Sequence, residues 1–279
     1  MRALAAILAA YLLCGCSMVR LAYENADSYL SWRAGNYLDV HGEAVDELDA
    51  AIADFHDWHR AQALPQYARL AGEAAVRVDD GVSPEDLVWG YDSFIAQVRV
   101  SLRAAAHRIA PLLAKLDAQQ IAHIESRLAE DNRRFAKQFL RGSEGERRER
   151  RARRIAKRLE EWLGRLSQAQ LERVRRYSER APLVGALRDR DNRRLQAQLL
   201  HLLRSDKKQT LQGSLVELAE RWDRGRDPAY AAAIELSRRE IHAMLLDLDR
   251  SLSPEQRAQA VASLRRYAAD FQMLSERQQ

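Results

Sequence analysis

The chain has 279 residues, 47% hydrophobic and 30% charged, with 45 Lys or Arg against 40 Asp or Glu and a net charge of +5. That much apolar material builds a core and excludes a disordered chain. The cationic excess is mild and only five of the basic residues are Lys, so the Arg bias does not by itself point to nucleic acid. Twelve Gly and six Pro are few for this length, and abundant Ala, Leu, Arg, Glu and Gln predict helix throughout.

Met1 and Arg2 make a short positive start, and Ala3 to Leu13 is an apolar run too short to span a bilayer. It ends in Leu13-Cys14-Gly15-Cys16. This tetrad resembles the bacterial lipoprotein lipobox, in which a Leu and a small residue precede an obligatory Cys. The resemblance implies cleavage before Cys16, diacylation of its thiol and acylation of the new amino group. One acyl chain binds membrane only marginally, at about 0.8 kcal/mol per buried CH₂, so several chains are needed for a stable anchor. Cys14 departs from the Ala, Ser, Val or Thr usual at its position. Ser17, in place of Asp, favours the outer membrane over the inner. The expected organisation is a lipoprotein signal peptide over 1–15, a lipidated Cys16 with its tether over 16–23, and an all-helical periplasmic domain over 24–279. Two subregions are expected to meet near 141–146. Cys16 would be the mature chain's only cysteine, so neither a disulfide nor a thiolate metal site is expected.

Next come Tyr23, Tyr29, Trp32 and Tyr37. Such rings suit a membrane interface, but their spacing also fits a helix core, which is the default expectation. His56-Asp57-Trp58-His59 then places two imidazoles on one helix face, without a further His or Cys cluster to complete a metal site. From Leu87, the positions Tyr91, Phe94, Val98, Leu102, Ala105, Ile109 and Leu112 form one stripe of a long amphipathic helix, with Pro111 able to bend or end it. Ile121 to Phe139 reads as the next helix, and Arg141-Gly142-Ser143 as a break. Ile155 to Leu166 and Leu171 to Tyr177 follow, then Pro182 and Gly185 interrupt. Leu195 to Leu202, Ile234 to Leu248 and Val261 to Leu274 complete the series. No strict alternation predicts a strand. The predicted class is all-α, a bundle of long amphipathic helices arranged as antiparallel hairpins.

Helix starts repeat one element: Ser83-Pro84-Glu85-Asp86, Asp117 to Gln120, Ser167 to Gln170 and Ser253 to Gln256, the last three each preceded by Leu. A Ser or Asp cap with a reciprocating side chain three residues on explains it. The element also looks like the Leu-Thr-x-x-Gln element of small periplasmic helical stress chaperones. Asp227-Pro228 is a further cap followed by Pro at the first helical position.

Larger blocks are Tyr23-Glu24-Asn25-Ala26-Asp27 with Leu30 and Trp32, then Trp58-His59-Arg60 with Leu64-Pro65-Gln66-Tyr67, then Leu159-Glu160-Glu161-Trp162-Leu163. Together they resemble an uncharacterised family of helical proteobacterial envelope lipoproteins. The resemblance implies fold and location across nearly the whole mature chain, and no activity. The sequence departs from the pattern at Val40-His41-Gly42-Glu43, where a cap would be expected.

The densest charge run holds Arg147, Arg148, Arg150, Arg151, Arg153, Arg154, Lys157 and Arg158. It is a candidate face for anionic lipid, lipopolysaccharide phosphates or an acidic envelope protein, or else a solvated helix pairing with acidic neighbours. No Gly-rich phosphate loop, nucleophile elbow or His–Glu metalloprotease motif is present. The expectation is therefore a membrane-anchored, non-enzymatic scaffold, with no cofactor, no metal and no nucleic acid. A lipid-tethered holdase chaperone is the alternative, and an enzyme using His59 a weaker one.

Overall fold

The computed structural model describes residues 18–276; the expected signal peptide over 1–15 and Cys16 lie outside them. All regular structure among these residues is helical. In chain order the helices are α1 (Met18–Glu24), α2 (Ala26–Leu38), α3 (Glu43–Trp58), a π-helical turn (His59–Ala63), α4 (Leu64–Asp80), α5 (Pro84–Ala114) and α6 (Ala118–Phe139). Then follow α7 (Glu144–Leu163), α8 (Gln168–Arg180), α9 (Gly185–Arg204), a 3₁₀ turn (Lys208–Thr210), α10 (Leu211–Glu220), α11 (Pro228–Asp249) and α12 (Pro254–Glu276).

The four repeated elements are helix caps. Ser83, Asp117 and Ser167 form complete capping boxes with Asp86, Gln120 and Gln170. Ser253 and Gln256 exchange the same two bonds at the start of α12, at 3.1 and 3.2 Å. A fifth box, Ser143 with Glu146, starts α7 where the sequence suggested only a break. Asp227 caps α11 by accepting from the Ala229 N–H at 2.7 Å.

The π turn has a local cause. Pro65 has no N–H and cannot bond the carbonyl four residues back. The chain widens by one residue instead, and the Leu64 N–H bonds the His59 carbonyl. Pro111, by contrast, neither ends nor interrupts α5, which runs on to Ala114.

The largest apolar cluster joins Leu48 of α3, Leu113 of α5, Ile124 of α6, Leu203 of α9 and Leu211 of α10. Each such buried side chain stabilises the fold by about 2 kcal/mol. A second cluster gathers Ala152 of α7, Val174 of α8, and Met244 and Leu248 of α11. Neighbouring helices run antiparallel where side chains cross: α3 meets α5 at Asp54–Arg108 and Glu47–Lys115, and α5 meets α10 at Arg99–Asp223 and Arg103–Glu220.

The most extensive pairing joins α4 to α12, across most of the chain's length. It too is antiparallel: Arg257 reaches the Val78 carbonyl at one end, and Tyr67 meets Phe271, ring centroids 6.0 Å apart, toward the other.

The long stripe of α5 is only partly a core face. The buried residues of α5 are Ala104, Ala106, Ala110, Leu112 and Leu113, of which only Leu112 belongs to the predicted stripe. Phe94 is 57% exposed, and Val88, Tyr91, Val100 and Leu102 are also open. α5 has 31 residues and its partner α10 has 10, and the contacts with α10 and α3 named above fall from Arg99 onward. The first third of the stripe therefore extends past both of these partners.

Candidate functional site

Three places come from the sequence: the expected lipidation site at Cys16, the aromatic and imidazole residues after it, and the basic run. Cys16 lies outside the described residues. Of the aromatic residues behind it, Tyr23 and Tyr37 are half-buried, while Tyr29 is open and Trp32 is 64% exposed. Two of the four thus depart from the core expectation, because α2 turns only its other side toward α3 and α6.

Tyr23 forms a closed cluster with the two imidazoles. The His56 ring stacks on it, centroids 4.6 Å apart, and His56 Nε2 donates to the Tyr23 carbonyl at 3.1 Å. The Tyr23 hydroxyl shares a hydrogen bond with His59 Nδ1 at 3.0 Å. Burial pushes the Tyr23 phenol up to about 12, with Arg60 opposing and Asp57 assisting. Burial and then the neighbouring His56 push His59 down to about 4, so its imidazole is neutral at pH 7. A cleft of about 310 Å³ opens beside the cluster, walled mainly by Leu30, Phe55, Val98 and Leu102. Among the described residues, no group of three or more His, Cys, Asp or Glu side chains could hold a metal ion.

The basic run divides by helix face. Arg148 and Arg151 point inward at the C-terminal end of α8. Arg148 Nη1 donates to the carbonyls of Ser178, Glu179 and Ala181 at 2.8, 2.5 and 3.0 Å. Arg151 donates to the carbonyls of Ser178, Ala181 and Pro182 at 2.6, 2.7 and 2.8 Å, and its guanidinium lies 5.5 Å from the Tyr177 ring centroid. These carbonyls have no partner within α8, and two cations there satisfy them and complement the helix dipole. Burial is the largest influence on Arg151 and lowers its pKa; Tyr177 opposes that, and Arg148 and Arg154 add to it.

Arg147 and Arg150 treat the end of α6 in the same way, bonding the carbonyls of Leu140 and Arg141. Arg153, Arg154, Lys157 and Arg158 remain exposed. Arg153 pairs with Glu149 at 2.5 Å and Arg158 with Glu161 at 3.5 Å. The run is therefore half helix-end bonding and half outward charge. Sequence spacing could not separate the two, because backbone carbonyls are partners that only the tertiary fold supplies.

One arginine outside the run belongs with it. A cleft of about 310 Å³ between α6, α7 and the start of α9 is lined by Arg147, Arg151, Arg154 and Arg188. Arg188 opens the alternating stretch Arg188-Asp189-Arg190-Asp191, which does not single it out. Among the described residues no helix is long and apolar enough to cross a membrane.

The architecture is that of an all-α protein whose polar groups are arranged around helix ends. A family of unknown function, DUF6279, matches residues 36–231, and the chain belongs to it. No curated protein and no solved structure matches the chain.

Proposed function

We propose that this protein is a lipid-anchored, periplasm-facing scaffold of the bacterial outer membrane that binds an envelope partner and carries no catalytic activity of its own. The observation that carries this reading is the position of the lipobox. Cys16 stands immediately before the residues that begin α1 at Met18. An acylated Cys16 would hold α1 and α2 against the bilayer, where the exposed Leu21, Tyr29 and Trp32 suit the headgroup region. The outward cations Arg153, Arg154, Lys157 and Arg158 would meet an anionic lipid, lipopolysaccharide or an acidic protein. The Tyr23 hydroxyl occupies the Nδ1 side of His59, where a catalytic carboxylate would stand, and this favours a structural role for that imidazole.

The test is crosslinking in intact cells, with capture through a C-terminal tag, comparing the wild type with Cys16→Ser. A single abundant partner lost in the variant is the expected result. A partner retained equally by both forms would remove the anchor from the function. The second reading, a tethered holdase, is favoured by one observation: the open apolar side chains of α5, Val88, Tyr91, Phe94 and Leu102. It predicts a broad spread of unfolded envelope proteins in the same experiment.

A further inference from the structure

We propose that the cleft at the start of α9 binds a phosphate ester carried on an apolar body, with Arg147, Arg154 and Arg188 gripping the phosphate. The cleft's lining holds four guanidiniums and no carboxylate. Elsewhere on the surface this chain pairs its arginines freely, as at Arg69–Glu73, Arg193–Asp189 and Arg238–Glu235. Among the described residues none of the four forms a contact ion pair; the nearby Glu144 feels the charge of Arg147 but is bonded to Arg148. Arg151 is committed to the end of α8, which leaves three with donors to spare. Arg154 only overlies the Phe139 ring, at 5.3 Å from its centroid. Arg188 is exposed, and among the described residues its side chain makes no hydrogen bond or ion pair. Arg147 is held through Nη1 by the Leu140 carbonyl at 3.3 Å, while its Nε is shut off from solvent without a hydrogen-bond partner.

The helix start adds to this. α9 has 20 residues, and its N-cap is Val184, which offers no side-chain bond. Its first intrahelical bond is made by the Arg188 N–H to the Val184 carbonyl. The preceding N–H groups and the positive end of the helix dipole therefore stand at the cleft, since Val184, Gly185 and Ala186 all line it. Gly185 sits close against the end of α6: a Cβ there would come within 3.0 Å of Leu140 Cδ2. Like charges gathered this closely repel one another until an anion joins them, and planar guanidinium forks match phosphate oxygens two at a time.

The rest of the lining selects what the phosphate is attached to. Phe135 and Phe139, ring centroids 4.8 Å apart, form an apolar floor with Leu140 and Leu183. That floor rewards a hydrocarbon or ring beside the phosphate, whereas a bare ion would leave it wet. The phosphate could belong to a lipid headgroup or to a soluble ester. Only the choice between these sources rests on the envelope reading; the recognition chemistry does not.

The experiment is native mass spectrometry of the full chain in a neutral maltoside detergent. It is titrated separately with dihexanoyl phosphatidic acid, phenyl phosphate, inorganic phosphate and dihexanoyl phosphatidylcholine. The expected result is a one-to-one adduct with at least one of the two phosphate esters, weakened about tenfold by Arg154→Gln and by Arg188→Gln, the loss of one charge-assisted contact each. Both side chains are exposed, and neither holds the fold together. Arg69→Gln, on α4, should change nothing. Preference for phosphatidic acid assigns a lipid source, and preference for phenyl phosphate a soluble one. The proposal is overturned if neither ester binds, if inorganic phosphate or phosphatidylcholine binds as tightly as the ester, or if Arg69→Gln weakens binding as much as Arg188→Gln. Ester binding without an anchor-dependent partner in cells would leave the cleft standing and remove the scaffold reading; the reverse would do the opposite.

Discussion

His59 shows how far one residue's chemistry is set by its surroundings. In the sequence it is one of two imidazoles on a helix face. In the fold its Nδ1 is joined to Tyr23, which the chain supplies from α1. Its imidazole titrates near 6.5 in the unfolded chain and near 4 in the folded one. Between those pH values the unfolded chain binds more protons, so stability is full above about pH 6.5 and is lost as pH falls toward 4. The ring is partly solvated, which reduces the effect to roughly 1 kcal/mol between pH 7 and pH 5. His59→Gln can still bond the Tyr23 hydroxyl and does not titrate. Urea midpoints at the two pH values should therefore fall less in the variant than in the wild type. Equal falls would show that other groups control the acid sensitivity.

At the scale of elements, helix starts were the most legible feature, because a cap is a local bargain among four residues. Ser83, Asp117, Ser167 and Ser253 all follow the pattern read from the sequence. The Ser143–Glu146 box was written in the same pattern and was hidden by the charge run behind it. What a local pattern cannot convey is why the boxes at Ser167 and Ser253 use Gln. Gln170 Nε2 donates to Gln256 Oε1 at 2.8 Å, and Gln256 Nε2 returns a bond to Gln170 Oε1 at 3.1 Å. The same amides also reach the Ser251 and Arg165 carbonyls, each at 3.0 Å. Two capping boxes are thus joined into one network at the meeting of α8 and α12. Glu would satisfy either cap alone, but at Gln170, which is 1% exposed, it would remove two donors and bury a charge. Gln170→Glu should destabilise the protein by about 2–4 kcal/mol, and Ser167→Ala by about 1 kcal/mol. Denaturant titration of both variants separates the network from the cap: equal losses would mean that Gln170 serves the cap alone.

At the scale of the whole molecule, periodicity identified which residues are apolar on each helix but not what they face. The phase of an apolar stripe carries no information about its partner. That is why the α4–α12 pairing was not legible, and why the α5 stripe gave no sign that part of it stays exposed. The pairing has a consequence for the family match, which ends at residue 231 and so leaves out α12 and nearly all of α11. α12 buries Ala260, Val261 and Leu274. It lies along α4, which buries Leu64, Ala68 and Ala75. It also reaches the start of the chain, where Asp270 is 2.9 Å from Arg20 of α1, and it carries Gln256 of the amide network. A fragment of residues 36–231 would expose the apolar side of α4, together with Val174 and Tyr177 of α8, which lose Met244 and Leu248. Fully buried side chains of that size contribute about 1.5–3 kcal/mol each, and several lost together are comparable to the roughly 5–15 kcal/mol that holds a typical domain. The fragment should therefore keep helical circular dichroism but lose cooperative unfolding, and protease should cut α4 first. The chain from 18 to 276 should unfold in one transition and protect α4. A cooperative, protease-resistant 36–231 fragment would mean that α12 is an addition to the family's fold and not one of its walls.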